Sequence, residues 1–310
     1  MPPCTRGCVG PPRSARASSP PIRSYRSTSR CMRACSVTDL LRLVRAGNLL
    51  VAAAGVLAGG WVALGAIAVP RLLGFAAVAA VGFGAAGNAL NDLRDVVADR
   101  VNRPGGERPV AAGRLRRETA HLVAAAGIFI GVAMAALVSG TALLVGIAAL
   151  VVIAAYSPLL KPAGVAGNVA IAAVAGLPLW FGAFAVGRPA AGVVPWVLAA
   201  WIHLVREIVK DIEDEPGDRA AGRRTLPIRW GARRAGLLAG ALAVTFVPLS
   251  VALPVAAHYG GGYYALAVVP QLAVLAAASR LFVGRPERLS RLLKGAMVVG
   301  LVALVLGRVA

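Results

Sequence analysis

The chain has 310 residues, 58% hydrophobic and 15% charged, with a mean hydropathy of +0.73; this leaves too little polar surface to coat a water-soluble globule and excludes a cytosolic domain. The net charge of +20 is carried almost wholly by arginine, the three lysines being Lys161, Lys210 and Lys294. Because the arginines lie in short segments between long apolar runs, they read as membrane topology and not as a nucleic-acid footprint.

Residues 1–36 carry seven arginines and no acid, with no apolar periodicity and no unbroken apolar stretch of the kind a signal peptide needs, so they read as a disordered basic tail. Two explanations stay open: an arm for anionic lipid or targeting, or translated sequence ahead of a start at Met32. All four cysteines, Cys4, Cys8, Cys31 and Cys35, lie in the tail, which removes thiol chemistry from the rest of the chain.

Residues 37–310 form one transmembrane domain in this reading. Apolar segments follow one another at 40–66, 72–97, 118–138, 141–157, 165–186, 190–212, 232–257, 263–283 and 289–308, each about 16 to 25 residues and long enough to cross a hydrocarbon layer of roughly 30 Å as a helix. The predicted fold class is therefore all-α: a polytopic bundle of nine spans. Basic residues alternate between connections, with six from Arg100 to Arg117, one at Lys161, six from Arg219 to Arg234 and five from Arg280 to Lys294, against Arg71 and Arg188 in the others. The positive-inside rule puts the amino terminus and the rich loops in the cytoplasm of a cell-membrane protein. Gly- and Ala-rich runs such as Gly82-Phe83-Gly84-Ala85-Ala86-Gly87 read as close helix contacts in the bilayer.

Of the 13 acids in the chain, most fall in two short windows. Each window holds a triplet spaced D-x2-D-x3-D: Asp92, Asp95 and Asp99, then Asp211, Asp214 and Asp218. The pairs 92 and 211, 95 and 214, 99 and 218 are each 119 apart, so one constellation occurs twice, at the cytoplasmic ends of the second and sixth spans. On a helix, positions i, i+3 and i+7 lie within roughly 60° of one another, which predicts two acidic stripes, extended by Asn88 and Glu207 four residues upstream. Ionised carboxylates at helix carboxyl termini beside a low-dielectric slab need a positive partner. Oxygen donors without His or Cys suit a hard cation, and two facing stripes suit magnesium shared with phosphate oxygens.

Each stripe precedes a basic loop broken by Gly and Pro, Arg100 to Pro109 and Arg219 to Pro227. Arginine forks suit phosphate, with Arg103 and Arg108 nearest the first stripe, although topology alone also accounts for loop arginines. Tyr156 and Lys161, at the end of the fourth span, read either as phosphate ligands or as an interfacial anchor and a snorkelling lysine. Pro216 is expected to end or kink the sixth span, which bears on the geometry of Asp218. His203 reads as packing, and the last three spans as apolar wall, with Gln271 their one polar side chain of note.

Asn91-Asp92-x2-Asp95-x3-Asp99 on the second span, Asp211-x2-Asp214-x3-Asp218 on the sixth and nine spans in all resemble the UbiA superfamily of intramembrane prenyltransferases over about residues 40 to 310. Arg45-Ala46-Gly47-Asn48 resembles that family's amino-terminal signature. The resemblance implies a prenyl diphosphate held through Mg2+ by Asn91, Asp92, Asp95, Asp99, Asp211, Asp214 and Asp218, with Asp95, Asp99, Asp214 and Asp218 as the catalytic core. It assigns Arg103, Arg108, Tyr156, Lys161 and Lys210 to the diphosphate, and Asn48, Asn88, Arg206, Glu207 and Arg224 to the acceptor and cavity. The stretch from Arg206 to Pro227 is most similar to the branch of digeranylgeranylglyceryl phosphate synthases, which implies transfer of geranylgeranyl to a glycerol-phosphate ether lipid. A lipophilic aromatic acid is the alternative acceptor. An ion-coupled transporter is the rival from another class, but such a site belongs at mid-membrane, whereas both triplets lie at the rim.

Overall fold

The computed structural model describes residues 36–309, and these form helices and turns only; the tail expected over 1–36 lies outside the described residues save Ser36. In chain order the helices are α1 (Val37–Leu43), α2 (Ala46–Leu64), α3 (Arg71–Arg94), α4 (Val96–Asn102), α5 (Arg117–Val138), α6 (Gly140–Ala155), α7 (Val165–Ala185), α8 (Val193–Glu213), α9 (Glu215–Ala220), α10 (Leu226–Trp230), α11 (Ala232–Ala256), α12 (Gly261–Phe282) and α13 (Leu289–Val309). Nine of the described helical segments are long and apolar enough to cross a membrane. A polytopic all-α bundle is thus the observed architecture. Leucine, valine and phenylalanine side chains such as Leu122, Phe129, Leu144 and Leu272 point outward, the arrangement a lipid solvent permits and water does not.

Small residues set the helix contacts. A Cβ on Gly82 of α3 would come 2.6 Å from the Gly131 nitrogen of α5, and one on Gly127 would come 2.7 Å from the Gly82 carbonyl. The two backbones therefore touch, which is the contact that glycine makes available where no hydrophobic force separates protein from lipid.

Two expected continuous spans are broken, each at a residue that bears on the site. The span expected over 40–66 is interrupted at Arg45, whose φ of 53° and ψ of 55° lie in the left-handed region. The span expected over 72–97 ends at Arg94, and α4 begins after a single residue, Asp95. Asp95 has φ −94° and ψ 12°; Asp214, its counterpart between α8 and α9, has φ −93° and ψ 1°. The middle aspartate of each triplet is thus a hinge residue in the same bridge-region conformation, and each predicted stripe is bent around its own midpoint. The span does break just before Pro216, as expected, but a proline is not required for such a break. Pro216 sits in the first turn of α9, where its missing N–H removes no helical hydrogen bond, and the first triplet bends identically without a proline.

The end of α6 is also irregular. A π-type turn over Tyr156–Leu160 and a 3-10 turn over Lys161–Ala163 follow it, in a stretch where Pro158 and Pro162 supply no N–H donor. The Ala154 carbonyl, one turn before Pro158, accepts a hydrogen bond from Arg94 Nη1. These turns carry Tyr156, Ser157 and Lys161 inward, where all three are buried.

Candidate active site

The two aspartate rows face each other closely enough that one guanidinium touches both. Arg103 Nη1 donates to Asp99 Oδ1 at 2.7 Å, while its Nη2 donates to Asp214 Oδ2 at 3.1 Å. Arg223 makes a second bridge, donating through Nη2 to Asp95 and through Nη1 to Asp218 at 3.1 Å. The short helices after each hinge are locked together as well: Asn102 Nδ2 donates to the Asp214 carbonyl at 2.9 Å, and the Gly217 N–H donates to Asn102 Oδ1 at 2.8 Å. A Cβ at Gly217 would stand 2.5 Å from the Ala98 carbonyl oxygen, so α4 and α9 meet only because that position is glycine.

Around the rows each carboxylate has a cation. Arg45 Nη2 donates to Asp92 Oδ1 at 3.1 Å, and Arg108 lies 3.6 Å from Asp92 and 3.7 Å from Asp99. Lys161 Nζ lies 2.8 Å from Asp218 Oδ2 and 3.8 Å from Asp211 Oδ1. Asn168 Nδ2 donates to Asp211 at 3.1 Å, and Ser157 Oγ donates to Asp95 at 2.9 Å. Burial works against the Asp95 carboxylate, but the guanidinium of Arg223 and the donors around it outweigh burial and hold its pKa below the ordinary value. At Asp99 burial wins over Arg108 and Arg103, and the pKa is raised.

A cavity of about 480 Å³ opens beside the rows. Asn91, Arg103, Arg108, Tyr156 and Asp214 line it on the side of the aspartates, and Asn48, Arg206, Glu207 and Lys210 line it elsewhere at the same end. Deeper in, its walls are apolar, among them Leu198, Ile202, Phe246, Ala267, Met297 and Leu304. A smaller apolar cavity of about 260 Å³, lined by Asn88, shares Asn48 and Asn91 with it.

Several sequence expectations look different in three dimensions. Arg224 is exposed and does not line the cavity; it is the neighbouring Arg223 that turns inward, because residues 225–227 are buried and carry the loop back toward α8. Lys161 is buried in the second row, bonded to its aspartates and not facing the cavity. Lys210 is paired with Glu207 at 3.4 Å and with no aspartate of either triplet. Asn88 donates to the Val44 carbonyl at 2.8 Å, a bond that steadies the break before α2. His203 lines the cavity with its Nδ1 buried and unpartnered, so it is not hydrogen-bonded packing. The last three spans contribute more than wall: Ser250 and Tyr263 line the cavity, Gln271 Nε2 donates to Ser250 Oγ at 3.0 Å and Tyr263 donates to the Ser250 carbonyl at 2.7 Å.

Arg45, Asn102, Asn168 and Arg223 were not singled out for the site by sequence. Arg45 carried a signal through its place in the Arg45-to-Asn48 signature and Arg223 a weaker one as a loop arginine after the second stripe; the roles of Asn102, Asn168 and Arg223 come from partners 43 to 128 positions away.

The donor set fits a divalent cation. Asn91 Oδ1, Asp92 Oδ2 and Asp99 Oδ2 are buried oxygens with no hydrogen-bond partner, and all the acids present hard oxygen ligands. Among the described residues no three His, Cys or acidic side chains close around one point, so a cation held here would need further oxygen ligands, such as those of a phosphate.

The pattern describing the UbiA prenyltransferase family matches residues 52–301. The chain belongs to that family. It is 37% identical over 275 residues to the digeranylgeranylglyceryl phosphate synthase of Natronomonas pharaonis, covering 88% of this chain and 98% of that one. Among solved structures, one described as giving insights into digeranylgeranylglyceryl phosphate synthase in membranes is 24% identical, with a TM-score of 0.70 over 87% of this chain and 98% of the other. A UbiA homologue from Archaeoglobus fulgidus bound to GPP and Mg2+ is 17% identical, with a TM-score of 0.59 over 86% and 99% of the two chains. The likeness to these structures is one of fold. This UbiA-family chain is a multi-pass membrane prenyltransferase, and a transporter is set aside because its paired carboxylates stand at a helix-end rim and not at mid-span.

Proposed function

We propose that this prenyltransferase is a digeranylgeranylglyceryl phosphate synthase: it transfers geranylgeranyl from its diphosphate to the free hydroxyl of geranylgeranylglyceryl phosphate, at the cytoplasmic face of the cell membrane. The observation that carries the reading is the pair of aspartate rows joined by Arg103 and Arg223, beside a cavity with an apolar interior. The named relative at 37% identity over nearly its whole length supports the choice of acceptor, and the archaeal homologue bound to GPP and Mg2+ supports donor class and cofactor. The positive-inside count supports the orientation.

In the reaction the allylic C–O bond to the diphosphate breaks, the leaving group keeps the electron pair, and the acceptor oxygen bonds to that carbon as its hydroxyl proton departs. Magnesium, when bound, neutralises charge growing on the departing diphosphate. Asn91, Asp92, Asp95 and Asp99 on one side and Asp211, Asp214 and Asp218 on the other would hold it. Arg103 and Arg108, already at the cavity wall, are preorganised donors toward the same charge. Tyr156, whose buried hydroxyl has no partner at the cavity wall, is free to donate to a phosphate oxygen. Below them the apolar walls hold the isoprenoid and keep water from the reactive carbon.

The test is to offer purified protein, with magnesium, a panel of prenyl diphosphates together with geranylgeranylglyceryl phosphate or an aromatic acid, and to identify products by mass. The expected product is the diether; an aromatic product alone overturns the assignment.

A further inference from the structure

Two groups of charged side chains lie at or behind the polar end of the cavity. On the side of the rows, six aspartates (Asp92, Asp95, Asp99, Asp211, Asp214, Asp218) meet five cations (Arg45, Arg103, Arg108, Arg223, Lys161), leaving one negative charge in surplus. On α8 and at the start of α13 the balance reverses. Arg206, Lys210 and Lys294 all line the cavity there, beside the acids Glu207 and Glu213. Glu207 accepts from both Arg206 at 2.9 Å and Lys210 at 3.4 Å. Glu213 accepts from the Ser290 N–H at 3.1 Å and from its hydroxyl, so it caps the amino terminus of α13, whose dipole offsets that carboxylate. Lys294, four residues further along α13, meets only a neutral group, donating to Asn48 Oδ1 of α2 at 2.7 Å. Three cations therefore stand beside two acids, and Lys294 is the one of the three that meets neither of them.

We propose that this rim is a second phosphate site, separate from the diphosphate site, and that it holds the phosphomonoester headgroup of the lipid acceptor with Lys294 as its principal ligand. The inference rests on the ether-lipid reading above and names where that acceptor's charge is received. A phosphomonoester carries about −1.5 to −2 charge at pH 7, opposite in sign to the net +1 of Arg206, Lys210 and Lys294 with Glu207 and Glu213. Lys294 would exchange a neutral amide oxygen for an anionic one, a charge-assisted and stronger bond. Lys294 is exposed at the rim, and it lines the cavity while its bond to Asn48 ties α13 to α2.

The test compares wild type, Lys294→Met and Lys294→Arg, with geranylgeranyl diphosphate as donor and either geranylgeranylglyceryl phosphate or the same lipid lacking its phosphate as acceptor. Loss of the charge should raise KM for the phosphorylated acceptor about tenfold, while KM for the donor and for the phosphate-free acceptor stays within about twofold. Lys294→Arg should restore most of the difference. If Lys294→Met keeps the wild-type preference between the two acceptors, the site is wrong and the ether-lipid reading stands. If Lys294→Met impairs donor and both acceptors alike, the lysine is structural and the proposal fails. If wild type prenylates an aromatic acid and neither glycerol lipid, the reading fails and takes this site with it.

Discussion

Arg223 donates to Asp95 across 128 positions of sequence, and its other amino group holds Asp218. One side chain from the loop after the second row thus fixes the hinge of the first. Arg223→Ala removes two charge-assisted hydrogen bonds worth about 1.5–3 kcal/mol each and leaves the buried Asp218 and the partly buried Asp95 less compensated. Prenyl transfer, read as kcat/KM for the donor, should fall by about a hundredfold or more. Arg224→Ala, at the exposed neighbour, should leave kcat/KM within about twofold; equal losses in both variants would show that the loop acts through net charge alone.

The approach of α4 to α9 depends on Gly217. Adding one methyl in Gly217→Ala forces the Ala98 carbonyl and the Asn102 side chain away, and overpacking of this kind costs about 1–3 kcal/mol. We expect a lower thermal midpoint together with reduced activity, because the same shift separates Asp99 from Asp214. Gly295→Ala is the control: a Cβ there meets nothing within 4 Å, and an alanine in a helix is favoured over glycine by about 1 kcal/mol. Its midpoint should hold or rise.

Asp95 and Asp214 are both hinge and ligand in this reading. Asp95→Ala or Asp214→Ala should abolish transfer, while each variant inserts in membranes and purifies as a folded protein. Chelation of divalent ions should likewise stop the wild-type reaction, and magnesium should restore it. Full turnover by either variant, or in the presence of chelator, would remove the metal assignment.

The cavity runs beside α8 from Asp214 to Leu198, about 24 Å at helical rise, and Ala267 of α12 lines its deep, apolar part. Ala267→Phe should fill that depth. Turnover of geranylgeranyl diphosphate should drop by at least about tenfold, with geranyl diphosphate affected less, since the lost contacts are at the tail. Competition between the two donors, read by product mass, checks this; an unchanged preference would mean the chain lies elsewhere, for instance in the smaller cavity beside Asn88.

Apolar run length was enough to read nine spans from sequence, because a bilayer demands about twenty apolar residues per helix whatever their neighbours. The repeated triplet was legible for a similar reason: carboxylates are so costly at this depth that two matched clusters stand out from the background. Tertiary structure decided the rest. Helical periodicity assumes a continuous helix, so it could not show that Asp95 and Asp214 are hinges, or that the bend turns each row toward the other. Nor could composition tell Arg223 from Arg224, or give Lys294 and Asn48 to each other across 246 positions. Which cation meets which acid is set by the packing of α4 on α9 and of α13 on α2, and that depends on glycines and buried turns whose partners lie far away in the chain.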